Sequence, residues 1–81
     1  MTVKVAFFAA ARDIAGCDQL ELDVDDATTV GQLKTMIAER FPEMVPIMST
    51  SNWAVDHEYV GNEQQLHHGA EIGLIPPVSG G

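Results

Sequence analysis

Apolar and polar residues alternate at both ends of the chain and recur at helical spacing between them. Val3, Val5 and Phe7 interleave with Lys4, Ala6 and Phe8, a period-two pattern that predicts a strand with the first set facing a core. Phe8 then points to the opposite face of the sheet. Ala9 to Ala15 has helical composition with Arg12 and Asp13 outward, and Gly16 stops it. Leu20, Leu22 and Val24 alternate with Glu21 and Asp23, which predicts a second, half-buried strand antiparallel to the first.

Thr29 stands before the strongest helical stripe, and Gln32 follows three residues on, the spacing of a capping box. Val30, Leu33 and Ile37 share one face with Met36 beside them, while Lys34, Glu39 and Arg40 take the other. Gly31 weakens this helix slightly. Phe41-Pro42 ends it, because the residue before proline avoids the α region. From Glu43 to Asn52 no period is readable, and Pro46 is expected to break any long element.

Trp53-Ala54-Val55 and Tyr59-Val60 flank Asp56-His57-Glu58, predicting two short strands around a tight turn. Gly61 to Gln65 is polar and turn-like, and Leu66 is expected to plug the core. His67-His68-Gly69-Ala70 turns the chain into a last strand, Glu71 to Ile75, with Ile72 and Leu74 inward and Gly73 and Ile75 outward. The order β-β-α-β-β-β describes an α+β domain over residues 1–75, with one main helix packed on one face of a mixed sheet.

Residues 76–81 read differently. Pro76 and Pro77 fix φ and lack N–H donors, so a hydrogen-bonded strand cannot continue through them. They favour a stiff, polyproline-like exit. Val78 and Ser79 follow, then Gly80 and Gly81, which have minimal girth. From Pro76 to Gly81 an extended tail reaches roughly 20 Å. A Gly-Gly end alone is a weak signal. After a strand and a double proline it describes a rigid base, a thin tip and a terminal carboxylate.

Composition narrows the classes. The chain has 81 residues, enough for one small core. Four basic residues stand against twelve acidic ones, for a net charge of −8, which argues against nucleic acid as a partner and suits a basic protein. Cys17 is the single cysteine, which fits a reducing compartment. The short apolar run after Lys4 is read as a cytoplasmic strand rather than an export signal, and no stretch is long enough to span a membrane.

No catalytic or metal-ligating set emerges. His57, His67, His68 and Cys17 fall on loops at no recognised ligand spacing. Asp23, Asp25 and Asp26 read as a solvated edge. By strand parity, Phe8 and Ile75 lie on the sheet face opposite the helix, with Tyr59 a candidate to join them. An apolar cluster at the root of the tail points to a docking face.

Val3-Lys4-Val5-Ala6-Phe7-Phe8-Ala9 with Arg12, the capped helix, and Ile75-Pro76-Pro77-Val78-Ser79-Gly80-Gly81 together resemble the MoaD/ThiS class of ubiquitin-like sulfur carriers, to which the small subunit of molybdopterin synthase belongs. The resemblance covers nearly the whole chain, and its most specific part is the tail. It departs from the class pattern at Asp56 and at His68-Gly69-Ala70.

The resemblance implies a β-grasp fold and no bound cofactor. It implies that an ATP-dependent, ubiquitin-activating-type adenylyltransferase adenylates the Gly81 carboxylate, and that sulfur then displaces AMP to leave a thiocarboxylate. The partner it implies is the large subunit of molybdopterin synthase, in a heterotetramer. Phe8, Arg12, Tyr59 and Ile75 would form the docking surface, and Pro76, Pro77, Val78, Gly80 and Gly81 would enter the partner. The chain would be the sulfur-donating, non-catalytic half of a two-component sulfurtransferase. The alternatives are a carrier for thiazole biosynthesis, or a protein modifier conjugated through Gly81; the double proline favours the first reading over the thiazole carrier.

Overall fold

The computed structural model describes residues 1–76. β1 (Thr2–Phe7) buries Val3, Val5 and Phe7 and leaves Lys4 and the following Phe8 exposed, as the alternation requires. β2 (Gln19–Asp23) runs antiparallel to it, with Leu22 opposite Val3 and Leu20 opposite Val5. The two strands are joined by a helix, α1 (Ala9–Ala15), rather than by a tight turn. Gly16 closes α1 at φ 76, donating its N–H to the Arg12 carbonyl, a left-handed cap that is unstrained without a Cβ. The observed order therefore gains a helix between the first two strands.

α2 (Val30–Arg40) carries the expected capping box: the Thr29 hydroxyl accepts the Gln32 amide and the Gln32 side chain accepts the Thr29 amide. Its buried residues are Val30, Leu33 and Ile37. Helix amides of the first turn need outside partners. Val30 N–H finds the Gln64 carbonyl at 2.9 Å and Gly31 N–H finds the Asn62 carbonyl at 3.0 Å. A Cβ on Gly31 would lie 3.2 Å from Asn62 Cβ and 3.3 Å from its carbonyl oxygen. The glycine thus lets the 61–65 loop lie against the helix start. Gly31→Leu is expected to lower stability by about 1–3 kcal/mol through overpacking, despite the better helix propensity of leucine. Thermal unfolding checks this; an unchanged midpoint would show that the loop yields freely.

The region from Glu43 to Asn52 corrects the sequence reading. A 3₁₀ turn (Pro42–Met44) leads into α3 (Val45–Thr50), with Pro46 in the first turn of that helix. There the missing N–H costs nothing and the fixed φ favours helix, so Pro46 starts an element instead of breaking one. Met44 is fully buried, and Phe41 meets Phe7 edge to face at 6.1 Å.

β3 (Asn52–Val55) and β4 (Glu58–Tyr59) form the predicted hairpin, and β5 (Glu71–Ile75) is the last strand, burying Ile72 and Leu74. Among the described residues the sheet has the order β2-β1-β5-β3-β4. β1 and β5 are parallel and the other pairs antiparallel, so the sheet is mixed. Leu66 is buried between α2 and the sheet residues, its amide bound to the Thr28 carbonyl. A mixed sheet with its terminal strands parallel at the centre and one main helix across one face is the ubiquitin-like β-grasp arrangement. β5 ends at Ile75, and residues 77–81 of the expected tail lie outside the described residues.

Candidate functional site

The face of the sheet away from α2 is shaped by one cross-strand row. Ala6 of β1 is in register with Gly73 of β5, and Gly73 with Ala54 of β3. The row continues to Gln19 of β2 at one end and Tyr59 of β4 at the other. Three small residues across the central strands make a low floor, because facing side chains on adjacent strands stand together. Bulkier groups rise around it. The result is a depression of about 400 Å³ lined by Phe8, Tyr59, Ile75, His57 and Gln19 and by the Lys4–Glu71 pair of the next row.

The sequence-predicted residues divide accordingly. Phe8 is 49 % exposed and Tyr59 70 % exposed, and together with half-buried Ile75 they line this one depression. Pro76 continues from Ile75 and is half-buried. Arg12 is not in the lining: it lies exposed on α1, with its guanidinium 3.7 Å from the Asp18 carboxylate. Pro77, Val78, Gly80 and Gly81 fall outside the described residues. The sequence reading did not single out the Ala6–Gly73–Ala54 floor. Its signal was two small residues at outward positions, Ala6 and Gly73, on strands otherwise rich in branched side chains.

Phe8 owes its exposure to the strand end. It leaves β1 with extended backbone, φ −128 and ψ 151, and serves as the N-cap residue of α1. Its carbonyl accepts the Ala11 amide at 3.1 Å, which fixes where the ring emerges. No side-chain cap accompanies it.

Charge at the site is concentrated at the turn end. The Asp56 carboxylate accepts the Glu71 amide at 3.1 Å and faces the His67 ring. The Glu71 N–H first, and then His67, hold the Asp56 carboxyl below its ordinary value. The same carboxylate holds the His67 imidazole above its own. Among the described residues, no three His, Cys, Asp or Glu side chains are gathered as a metal site would need, and no helix is long and apolar enough to cross a membrane.

Comparison with known proteins places this architecture. The chain is 32% identical over 83 residues to the molybdopterin synthase sulfur carrier subunit of Chlamydomonas reinhardtii, covering all of both chains. It is 34% identical to the human protein of the same name, covering 98% of this chain and 93% of the human one. Among solved structures it is similar to small archaeal modifier protein 1 of Methanosarcina acetivorans, with 26% identity, a TM-score of 0.85, and coverage of 99% of this chain and 96% of that one. With the ThiS family matching residues 5–81, strand β1 through the Gly-Gly end, the chain belongs to the ThiS family.

Proposed function

We propose that this chain is the sulfur-carrier subunit of a molybdopterin synthase, acting in molybdenum cofactor biosynthesis. The observation that carries the reading is the end-to-end match to sulfur carrier subunits, which leaves no part of the chain unaccounted for. The exposed apolar depression at the root of the tail supports it, since a carrier must be held by its base while its tip works elsewhere.

The chemistry follows from the end group. The Gly81 carboxylate is a poor acyl donor, because oxide is a poor leaving group. Attack on the α-phosphate of ATP, in an adenylyltransferase of the ubiquitin-activating type, expels pyrophosphate and gives an acyl-adenylate. A sulfur nucleophile then adds to the acyl carbon and AMP leaves, giving a thiocarboxylate. That sulfur attacks the pterin precursor held by the large subunit, and hydrolysis returns the carboxylate. Phe8, Tyr59 and Ile75 dock the domain. Pro76, Pro77 and Val78 span to the partner, and Gly80 and Gly81 pass through a narrow channel. Arg12, exposed on α1 outside the depression, adds a positive charge to the docking surface.

The likeness to a small archaeal modifier protein favours one second reading, a modifier joined through Gly81 to lysines of other proteins. Both readings begin with the acyl-adenylate and differ in the nucleophile. Self-conjugation is a minor route in either case. Lys4 and Lys34 are the only lysines, and Lys34 Nζ is engaged by Asn62 Oδ1 at 2.6 Å and lies 5.3 Å from the Trp53 ring centroid.

The test is intact mass after incubation with ATP, a sulfur source and the activating enzyme. A carrier gains the mass of one sulfur-for-oxygen exchange and passes it to a pterin precursor when the large subunit is added. A modifier gives isopeptide adducts on other proteins instead. Unchanged mass with an activating enzyme proven on another carrier would refute both readings.

A further inference from the structure

His67 and His68 stand side by side in the turn before β5, and their hydrogen bonds require opposite things of them. Nε2 of His67 lies 2.5 Å from Asp56 Oδ2, and its Nδ1 lies 3.0 Å from the His68 carbonyl oxygen. Carboxylate and carbonyl oxygens only accept, so both ring nitrogens must donate, and only the imidazolium carries two N–H groups. His68 is the reverse case. Its Nδ1 accepts the Thr2 amide at 3.1 Å, so that nitrogen carries no proton. We propose that Asp56 and His67 form a proton-operated latch between the β3–β4 hairpin and the start of β5, closed when His67 is an imidazolium and open when it is neutral.

The hairpin needs an outside tie. Its loop residues Asp56 and His57 both have left-handed backbone, φ 50 and φ 73. Two-residue loops of this kind favour glycine at the second position, and here a histidine carries a Cβ there. β4 is only Glu58–Tyr59, exposed at the edge of the sheet. A short edge hairpin with an unfavourable loop is marginal by itself. Asp56 supplies the tie through three groups. Its N–H donates to the Glu71 carbonyl at 2.8 Å, Oδ1 accepts the Glu71 N–H, and Oδ2 faces His67.

An exposed ion pair in isolation contributes little. Here the carboxylate is shared between a strand amide and the imidazolium, so loss of one proton loosens the whole turn. The other ionisable groups around it are His57, in the same turn and favouring the Asp56 anion, with Glu58 on β4, Glu71 at the start of β5, His68 in the turn before it, and Lys4 across from Glu71 on β1. The raised His67 and lowered Asp56 values agree with the geometry. His67 contributes fully below its ordinary value of 6.5, and the contribution is lost as pH rises through its higher folded value. Asp56 contributes fully above 3.8 and loses its contribution only as pH falls through its lower folded value. The latch is therefore closed in mildly acidic solution and opens on the alkaline side. Because His57 and Tyr59 line the sheet depression, opening it frees one wall of that surface.

Imidazole ¹⁵N spectra of the intact protein and amide exchange of the hairpin test this directly. At pH 6 both ring nitrogens of His67 are expected to carry protons. Protection of the Asp56 and Val60 amides, corrected for intrinsic exchange, should fall severalfold between pH 6 and pH 9. In His67→Gln it should be low at both values, and adding His57→Gly should restore it by relieving the loop. A neutral His67 ring at pH 6 overturns the proposal. Equal hairpin protection in the wild type and His67→Gln at pH 6 overturns it as well.

Discussion

Appending one alanine after Gly81 is expected to abolish sulfur loading and leave the thermal midpoint unchanged. The addition converts the Gly81 carboxylate into a peptide amide, which has no free oxygen to attack ATP. The new carboxylate stands about 3.3–3.6 Å further along and sits on a residue with a Cβ. If the tip enters a narrow partner channel as proposed, the added residue gives it both the wrong reach and the wrong girth. Stability should stay within about ±0.5 kcal/mol, because an appended residue takes away no existing side chain. Among the described residues, β5 ends at Ile75 and Leu74 is the last buried side chain. Intact mass and a thermal melt read the two halves together. Loading at the wild-type level would reject Gly81 as the sulfur-bearing residue.

Much of the fold was readable because local pattern and tertiary role agree. Val3, Val5 and Phe7 on β1, and Ile72 and Leu74 on β5, alternate with exposed or half-buried neighbours, and all five are buried. The Thr29–Gln32 capping box and the Gly16 stop are local devices and were found where the residues put them. α3 was not readable, since proline carries two meanings: Pro46 forbids a helix passing through it and favours one starting at it. Only the surrounding fold selects between them.

The candidate site divides in the same way. Parity along one strand put Phe8 and Ile75 on the open face, and that needed no partner strand. The Ala6–Gly73–Ala54 floor depends on how β1, β5 and β3 are registered, and those strands are far apart in the chain. Nothing local fixes that register. Asp56 and His67 are likewise brought together from separate turns, eleven residues apart. Arg12, expected on the same docking surface as Phe8, lies exposed on α1 beside Asp18 and is not among the residues lining the depression.

Phe7 and Phe8 are adjacent and chemically identical, yet their replacement by aspartate is expected to have opposite consequences. Phe7 is 2 % exposed, in the core cluster with Leu33, Ile37 and Leu74, and packed edge-on against Phe41. Truncating such a ring costs about 3–5 kcal/mol, and burying a carboxylate adds to that. Against about 0.05–0.15 kcal/mol of stability per residue, or about 4–12 kcal/mol for this chain, Phe7→Asp should leave most molecules unfolded. Phe8 is 49 % exposed and faces the open side of the sheet. It also occupies the N-cap position of α1 with no side-chain hydrogen bond of its own. Aspartate is among the preferred N-cap residues, and its charge suits the helix start, contributions of about 1 kcal/mol that offset the lost apolar contact. Phe8→Asp should therefore fold with a midpoint near that of the wild type. What it should lose is docking, because a charge replaces the largest apolar group in the depression and must be desolvated at the centre of a contact. A loss of 2 kcal/mol or more, on the order of thirtyfold in affinity, is the magnitude of an interface hot spot. Calorimetric titration against the large subunit, beside thermal melts of both variants, measures each effect. If Phe8→Asp unfolds the domain while Phe7→Asp does not, the faces of β1 are inverted; if Phe8→Asp binds as tightly as the wild type, the depression is not where the partner sits.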